Sequence, residues 1–225
     1  MIEFENVRFA YPHSEFELCV RQWHVAAEER VAVIGPSGSG KTTLLYLAAG
    51  IVSPLSGTVR VAGHDISRQT DAERRSFRIR NIGLVFQEFE LLEYLTVRDN
   101  ILLPYRINPA LKLDRAVAQR VATVAEAVGL AEALDRHPSR LSHGERQRVA
   151  LSRALITQPR LILADEPTGN LDPRTSRTIV SLLLEQAEKT QATVLMVTHD
   201  HSLLTRFSRV LDLEQLVHRP PAAAG

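Results

Sequence analysis

Several residue types are scarce in this sequence, and each scarcity excludes a class of protein. Cys19 is the one cysteine among 225 residues, so no internal disulfide can form, and we expect Cys19 to be a small core residue of a strand. Lysine accounts for only 3 of the 27 lysine and arginine residues, and the formal net charge is +1. A charge so close to neutral does not favour a protein that binds nucleic acid.

Long apolar runs are also missing. No run approaches the roughly 20 residues that span a bilayer, and no secretory signal pattern opens the sequence. We therefore expect a cytoplasmic protein that reaches a membrane only through a partner. The length suits one domain with a subdomain, which is enough for a substantial core.

One stretch has a spacing that indicates a chemistry by itself. Residues 35–42 match the P-loop (Walker A) pattern G-x-x-x-x-G-K-[ST] at every fixed position. The apolar segment 31–34 before it is typical of a buried strand, and 43–49 after it is typical of a helix, which is the context that the motif requires. The residues predicted to bind nucleotide here are Gly35, Pro36, Ser37, Gly38, Ser39, Gly40, Lys41, Thr42 and Thr43.

Each residue type in the P-loop has a physical role. Glycines let consecutive backbone N–H groups point inward, and the following helix adds the positive end of its dipole, so the loop attracts a polyphosphate such as that of ATP. Lys41 is expected to contact the β- and γ-phosphates, Thr42 to hold Mg²⁺ through its hydroxyl, and Thr43 to contact the α-phosphate. The alternative is a glycine–serine turn that caps a helix and binds nothing.

Two acids follow a second apolar strand pattern, at 161–164. Ligands in open α/β sheets bind beyond the carboxyl ends of the strands. We therefore predict that Asp165 holds Mg²⁺ and that Glu166 orients or deprotonates the water that attacks the γ-phosphate. Two solvated acids at a strand end are the alternative.

The order of patterns along the chain predicts an α/β fold. Period-two alternation over 2–9 indicates a half-buried antiparallel strand. Residues 88–140 are helical in pattern, and Gly129 is expected to end a helix whose valines share one face. Further strand patterns occur at 16–20, 58–61, 82–86, 161–164, 193–197 and 210–213.

These patterns predict a P-loop NTPase core with a parallel sheet, an N-terminal antiparallel β part and an inserted helical subdomain. All of it is assigned to a single nucleotide-binding domain. The predicted limits are a core of about 1–87 and 158–216, a helical subdomain of about 88–157, and a frayed tail of 217–225.

A third motif, Leu141-Ser142-His143-Gly144-Glu145, precedes a predicted helix. Ser142 and Glu145 predict a capping box, and Gly144 would expose backbone N–H groups to an anion. The segment resembles the signature motif, commonly LSGGQ, of ATP-binding cassette (ABC) ATPases, and residues 2–213 are similar to that family in motif order. The resemblance implies a homodimer closed around two ATP molecules, in which Ser142 and Gly144 face the ATP on the other copy's P-loop.

Other residues take a role from this resemblance. Tyr11 resembles the aromatic residue that stacks on adenine, with Phe9 as the alternative. Gln87 resembles the Q-loop glutamine, which implies a catalytic role and a contact to Mg²⁺. Asp172 resembles the D-loop aspartate at the nucleotide, and His199 resembles the catalytic switch histidine. Without the resemblance, Tyr11 could simply pack at a strand end and Gln87 could cap its strand.

Two positions depart from the family pattern. His143 stands where glycine is usual, and Glu145 stands where glutamine is usual. They would add bulk, a titratable ring and a negative charge near a phosphate bound by the other copy. Their effect on the closed dimer is therefore left open.

The segments at 86–100 and 164–172 resemble those of lipoprotein-releasing, macrolide-exporting and cell-division ABC ATPases. This implies a separate ATPase subunit at the cytoplasmic face of the inner membrane, which drives an integral permease that in turn contacts a periplasmic adaptor. The substrate cannot be identified. An ABC ATPase that regulates a cell-division or cell-wall complex without transport is the alternative.

An apolar cluster follows Gln87. With the resemblance, it predicts a groove for a short cytoplasmic helix of the permease, whereas the alternative is the core of the helical subdomain. The cluster consists of Phe89, Leu91, Leu92, Tyr94 and Leu95.

Overall fold

The computed structural model describes residues 1–217. It contains two sheets and seven α-helices in this part of the chain. The strands are β1 (Ile2–Ala10), β2 (Glu17–Val25), β3 (Arg30–Ile34), β4 (Ser56–Val61), β5 (His64–Asp65), β6 (Ile82–Val85), β7 (Leu161–Asp165), β8 (Thr193–Val197) and β9 (Arg209–Asp212). The helices are α1 (Lys41–Ala48), α2 (Asp71–Asn81), α3 (Val97–Ile107), α4 (Arg115–Ala127), α5 (His143–Leu155), α6 (Pro173–Lys189) and α7 (Leu213–Leu216).

The two sheets differ in strand direction. One is antiparallel, in the order β2-β1-β4-β5, and the other is parallel, in the order β6-β7-β8-β3-β9. The predicted α/β fold class, with an N-terminal antiparallel part, is therefore confirmed. In the chain, α3, α4 and α5 all lie between β6 and β7. The domain limits given above remain a prediction.

The antiparallel sheet extends further than its sequence pattern indicated. Strand β2 runs to Val25 rather than Val20 because it pairs with the whole of β1. Asn6 has a left-handed φ of 49°, and the register between β1 and β4 shifts at this point, which is typical of a bulge. Gly57 passes so close that a Cβ there would lie 2.2 Å from the Asn6 carbonyl oxygen, so this close approach needs glycine.

The parallel sheet separates two hydrophobic cores. In β3, Val31 and Val33 pack into the core shared with the antiparallel sheet and α1. Ala32 points to the other face, into the core built with α3 to α6. This alternation follows from the period of two along a strand. The sheet buries both faces, so its carboxyl edge and its loops remain available for a site.

One prediction at the edge of this fold is wrong. Cys19 is half-buried on the face opposite its neighbours Leu18 and Val20, beside the Glu17 carboxylate, and is not a core residue. Val217, the first residue of the predicted tail, forms a bridge with Val20. The rest of the predicted frayed tail, 218–225, lies outside the described residues. No helix within 1–217 is long and apolar enough to cross a membrane.

Candidate nucleotide-binding site

The P-loop connects the end of β3 to the start of α1. Gly38 and Gly40 have φ values of 76° and 103°, which lie in the left-handed region that favours glycine. A Cβ at Gly40 would also lie 2.7 Å from the ring of Phe16. The backbone conformation therefore favours glycine at position 40, and a Cβ there would also displace the Phe16 ring.

Lys41 is buried at the first position of α1. Its ammonium donates hydrogen bonds to the carbonyls of Gly35 and Pro36, at 2.9 Å and 2.8 Å. No carboxylate of residues 1–217 forms an ion pair with it. A buried cation that is hydrogen-bonded but not neutralised favours an anionic ligand.

Asp165 and Glu166 lie where β7 ends. Burial raises the pKa of Asp165, and the nearby Glu166 charge acts in the same direction. The Thr42 hydroxyl and the charge of Lys41 act in the opposite direction. Glu166 has a φ of 44°, a left-handed conformation that costs a non-glycine residue on the order of 1–3 kcal/mol. Such strain is typical of functional sites, and here it falls on the predicted base.

His199 contacts Glu166 directly. The two residues follow neighbouring strands, β8 and β7, whose carboxyl ends meet at the same edge of the sheet. The His199 Nδ1 atom lies 3.0 Å from the Glu166 Oε2 atom. A carboxylate oriented by an imidazole can accept a proton from a bound water.

The oxygen donors near the P-loop fit Mg²⁺. The Thr42 hydroxyl is close enough to the Asp165 carboxylate to lower its pKa, so a carboxylate and a hydroxyl lie near each other at the P-loop. Residues 1–217 contain no group of three or more histidine, cysteine or acidic residues that could hold a metal by themselves.

Lys41, Glu166 and His199 line one cavity of about 580 Å³. It brings together most of the predicted residues and adds Phe16, which sequence reasoning missed. The lining consists of Tyr11, Phe16, Gly35, Ser37, Gly38, Gly40, Lys41, Thr42, Thr43, Glu166 and His199. The predicted residues that do not line it are Pro36, Ser39, Asp165, Gln87, Ser142, Gly144 and Asp172.

The signature residues form a separate face. Ser142 begins α5 with the predicted capping box, in which the Glu145 carboxylate accepts from the Ser142 N–H at 2.8 Å and the Ser142 hydroxyl accepts from the Glu145 N–H. The Ser142 N–H and hydroxyl both donate to the Glu145 carboxylate, and these two bonds lower its pKa. Beside it, Asp172 begins α6 by accepting from Thr175 N–H, and a Cβ on Gly144 would lie 3.0 Å from the Thr175 side chain. The amino ends of α5 and α6 therefore lie together.

Comparison with known proteins agrees with this geometry. A family model described as ABC transporter matches residues 20–169. The lipoprotein-releasing system ATP-binding protein LolD of Xanthomonas campestris pv. campestris (strain 8004) is 43% identical over 192 residues, covering 85% of this chain and 79% of the relative. LolD of Pseudomonas fluorescens is 41% identical over 204 residues, which cover 91% of this chain and 89% of the relative. A solved dimer of the ATP-binding cassette MJ0796, in a post-hydrolysis state with ADP and Pi, has a TM-score of 0.85 and 32% identity, covering 97% of both chains.

The chain belongs to the ABC transporter family. It is an ATP-binding cassette that hydrolyses ATP, and the resemblance stated from its motifs is confirmed. The family model ends at residue 169, so Asp172 and His199 lie beyond the matched range.

Two aromatic rings line the cassette's cavity near the P-loop. The Tyr11 hydroxyl lies 3.2 Å from the Thr43 hydroxyl, and the Tyr11 ring is 6.0 Å from that of Phe16. Phe9 is buried, and its ring packs nearly perpendicular to the Tyr11 ring, with the two centroids 4.8 Å apart. Phe9 therefore supports Tyr11 and does not line the cavity. Phe16 was missed because it stands in a loop without a motif of its own. Its role depends on the fold, which brings Phe16 beside Gly40 at the start of α1.

Gln87 lies against the turn that follows Glu166. A Cβ on Gly169 would be 2.9 Å from the Gln87 amide nitrogen, and the Gly169 N–H donates to the Glu166 carbonyl. The side chain is exposed and follows β6 after one residue. Gln87 thus lies beside the turn that follows Glu166 and outside the cavity that holds Lys41.

A larger cavity of about 660 Å³ lies between α2, α3 and α5. We call it the α2–α3 groove. None of the five residues of the predicted apolar cluster lines this groove. Tyr94 is 75% exposed, and the centroid of the Phe89 ring lies 5.8 Å from that of the His143 ring. The groove is lined by Tyr46, Ile51, Arg75, Arg78, Ile79, Ile82, Gly83, Leu84, Phe86, Glu90, Leu103, Pro104, Ile107, Asn108, Arg153, Ala154 and Thr157.

Proposed function

We propose that two copies of this chain close around two ATP molecules and drive a membrane permease by hydrolysing them. The observation that carries the proposal is the pairing of Glu166 with His199 in the same cavity as Lys41. Ser142 and Asp172 line no part of that cavity, so a second copy would have to supply their contacts. The dimeric cassette similar to this chain supports that arrangement.

Binding of the triphosphate is assigned to the P-loop. Lys41 would exchange its bonds to the Gly35 and Pro36 carbonyls for bonds to the β- and γ-phosphates, because a phosphate neutralises the ammonium and a carbonyl does not. Thr43 would contact the α-phosphate. Pro36 and Ser39 shape the loop, and Ser39 has a buried hydroxyl without a partner among residues 1–217.

The residues proposed to hold Mg²⁺ are Thr42 and Asp165, with Gln87 reaching the same ion. When bound, Mg²⁺ supplies charge that stabilises the phosphates during transfer. The raised pKa of Asp165 supports this, since a carboxylate that burial destabilises gains most from a nearby cation.

Hydrolysis is assigned to Glu166 and His199. A water placed between Glu166 and the γ-phosphate would lose its proton to Glu166 as its oxygen bonds to phosphorus and the bond to the leaving ADP oxygen breaks. His199, which is 65% exposed, would keep the Glu166 carboxylate oriented through its 3.0 Å contact and reach the γ-phosphate side of the cavity. Both residues therefore act on the same step.

A membrane partner is proposed from the relatives. LolD is named as the ATP-binding protein of a lipoprotein-releasing system, and 43% identity supports a related role for this chain at the cytoplasmic face of the inner membrane. The partner would be an integral permease, with a periplasmic adaptor reached through it. A cassette that regulates a cell-division complex without transport remains the second candidate, and the genes encoded beside this one would separate the two.

Phe16 provides a prediction at the nucleotide. Phe16→Ala is expected to raise the KM for ATP by about tenfold while kcat changes little, because the ring contributes binding area and no charge at the phosphates. Steady-state ATPase kinetics measure this. Leu55→Ala is the control, since Leu55 is apolar and 65% exposed outside the cavity. An unchanged KM in Phe16→Ala would remove Phe16 from the site.

The α2–α3 groove provides a prediction about the permease. Ile107→Asp is expected to abolish co-purification with the permease encoded beside this gene, because it places a charge on an apolar wall. Ile107 is 65% exposed at the end of α3, so the fold should tolerate the change, and a thermal melt checks that. Tyr94→Asp is the matched control, since Tyr94 is exposed outside the groove. Equal recovery of the permease with both variants would place docking elsewhere.

A further inference from the structure

The amino end of α5 contacts the segment that follows Gln87. The centroid of the His143 ring, at the first position of α5, lies 5.8 Å from that of the Phe89 ring, and the two ring planes meet at 67°. Aromatic rings in this edge-to-face geometry attract one another beyond the effect of the area that they bury. The family pattern has glycine at position 143, which has no ring. The contact therefore depends on a residue that departs from that pattern.

Helix α5 also holds the backbone of Phe89. Arg153, near the carboxyl end of the helix, donates to the Phe89 carbonyl at 2.8 Å and to the Glu90 carbonyl. These bonds fix where Phe89 lies along α5, and the contact with His143 fixes which way its side chain points. Two attachments to one helix therefore set the orientation of residue 89.

Gln87 lies two residues before this attachment. Two residues span at most about 7 Å, so a change in the orientation of Phe89 reaches Gln87 directly. The Gln87 side chain packs on the turn that follows Glu166, where a Cβ on Gly169 would lie 2.9 Å from its amide nitrogen. The Gly169 N–H donates to the Glu166 carbonyl at 3.0 Å. Gln87 therefore contacts the turn that carries the proposed base.

The same turn leads back to α5. Shortly after Gly169, Asp172 begins α6 and accepts from the Thr175 N–H at 3.0 Å. The Thr175 side chain lies against Gly144, where a Cβ would be 3.0 Å from it. Gly144 follows His143 in the chain. The contacts therefore form a closed ring, which runs from the turn through the amino ends of α6 and α5 to the segment after β6 and back to the turn.

We infer that His143 is a positioning residue, which acts through Phe89 to hold Gln87 against the turn that carries Glu166. This role rests on the proposed function, in which Gln87 takes part in the reaction. A closed ring of contacts fixes each member relative to the others, whereas an open chain of contacts leaves its ends free to move. The pair of His143 and Phe89 is a link that can be removed without altering the nucleotide cavity, since neither residue lines it.

Steady-state ATPase kinetics test this role. His143→Ala should lower kcat by about threefold to tenfold, the range expected for the loss of one edge-to-face pair. The KM for ATP should not change, because the P-loop is unaltered. His143→Phe should keep kcat within about twofold of the unchanged protein, because it retains a ring beside Phe89. His137→Ala is the matched control, since it removes an exposed histidine just before α5 and should change neither constant.

Two further measurements show whether the effect passes through Phe89. Phe89→Ala should reproduce the result of His143→Ala, and the double variant should be no slower than either, because both changes remove the same link. Hydrogen exchange measured by mass spectrometry should be faster in His143→Ala for peptides that cover 86–92, and unchanged for peptides that cover 35–48. Thermal melts must show that each variant is folded.

The outcomes separate this role from the proposed function. Slow hydrolysis by His143→Phe, or a double variant in which the two effects add, would mean that His143 acts by its charge and not through Phe89, and would overturn the role. Unchanged kinetics in His143→Ala would also overturn it, while Lys41→Ala and Glu166→Gln would still test the proposed function. Normal kcat in His143→Phe together with a non-additive double variant supports the role.

Discussion

Lys41→Ala is expected to lower the rate of ATP hydrolysis by about a hundredfold or more. Removing one group that stabilises charge in the transition state typically has an effect of this order. The Lys41 ammonium is buried, has no carboxylate partner among residues 1–217 and lies over the P-loop carbonyls at 2.8–2.9 Å. Nothing else in the cavity lining of residues 1–217 is a lysine or an arginine, so no neighbour can replace its charge.

The measurement is a phosphate-release assay on purified protein. Lys112→Ala is the matched control, because it removes the same charge away from the cavity and should retain full activity. The carbonyls of Gly35 and Pro36 lose a donor in Lys41→Ala, so a melting curve must show a folded protein. A folded Lys41→Ala variant with the activity of the control would contradict the P-loop assignment.

The parts of the fold that sequence predicts best are those governed by local spacing. The P-loop pattern has glycine at fixed positions, and Gly40 shows why. Its φ is 103°, and the Phe16 ring lies where a Cβ would be. The capping box of Ser142 and Glu145 is equally local, since both partners lie within one turn. Such interactions depend on neighbours in the chain and can be predicted from it.

Helix α6 has a local signal in the sequence. The patterns above include no helix between the strands at 161–164 and 193–197, yet α6 spans Pro173–Lys189. Asp172 at the N-cap and Pro173 at the first position are a recognised helix start, and Ile179, Val180, Leu183 and Leu184 follow at helical spacing and are buried. Asp172 is thus the N-cap of α6 as well as the residue that resembles the D-loop aspartate.

After Gln87, a helical pattern in the sequence does not form a helix. The segment 88–96 has a helical apolar pattern but forms no helix, and α3 begins only at Val97, where Thr96 accepts from the Asp99 N–H. The segment is held by side chains distant in sequence, such as Arg153, which donates to the Phe89 carbonyl at 2.8 Å. Tertiary contacts of this kind override local propensity and cannot be seen in a single sequence.

The groove and Phe16 could not be predicted for the same reason. The lining of the α2–α3 groove comes from positions between 46 and 157, brought together by β6 and the helices on either side of it. The apolar cluster that was expected to form the groove includes Leu91, which packs against the core instead. A sequence indicates that an apolar residue will be buried or bound, and the fold decides which.

Glu166→Gln is expected to bind ATP and to hydrolyse it at least about a hundredfold more slowly. The amide has the size of the carboxylate and can still hydrogen-bond to His199 Nδ1, so the 3.0 Å contact and the left-handed backbone should persist. It cannot accept a proton from water, and loss of a general base typically costs about 10²–10⁴-fold. Since ATP is not consumed, a dimer closed around it should live longer, and size-exclusion chromatography with ATP should show more dimer than for the unchanged protein.

Two further variants control for this result. Glu185→Gln neutralises an exposed acid on α6 that lies away from the cavity, and it should hydrolyse ATP normally. His199→Ala should also lose most activity, because Glu166 then lacks the group that orients it, but the carboxylate remains and some hydrolysis should persist. Loss of hydrolysis only in Glu166→Gln and His199→Ala, with ATP still bound, supports a base and its orienting partner. Normal hydrolysis by Glu166→Gln would mean that the base is another residue and that the strained backbone at position 166 serves a different purpose.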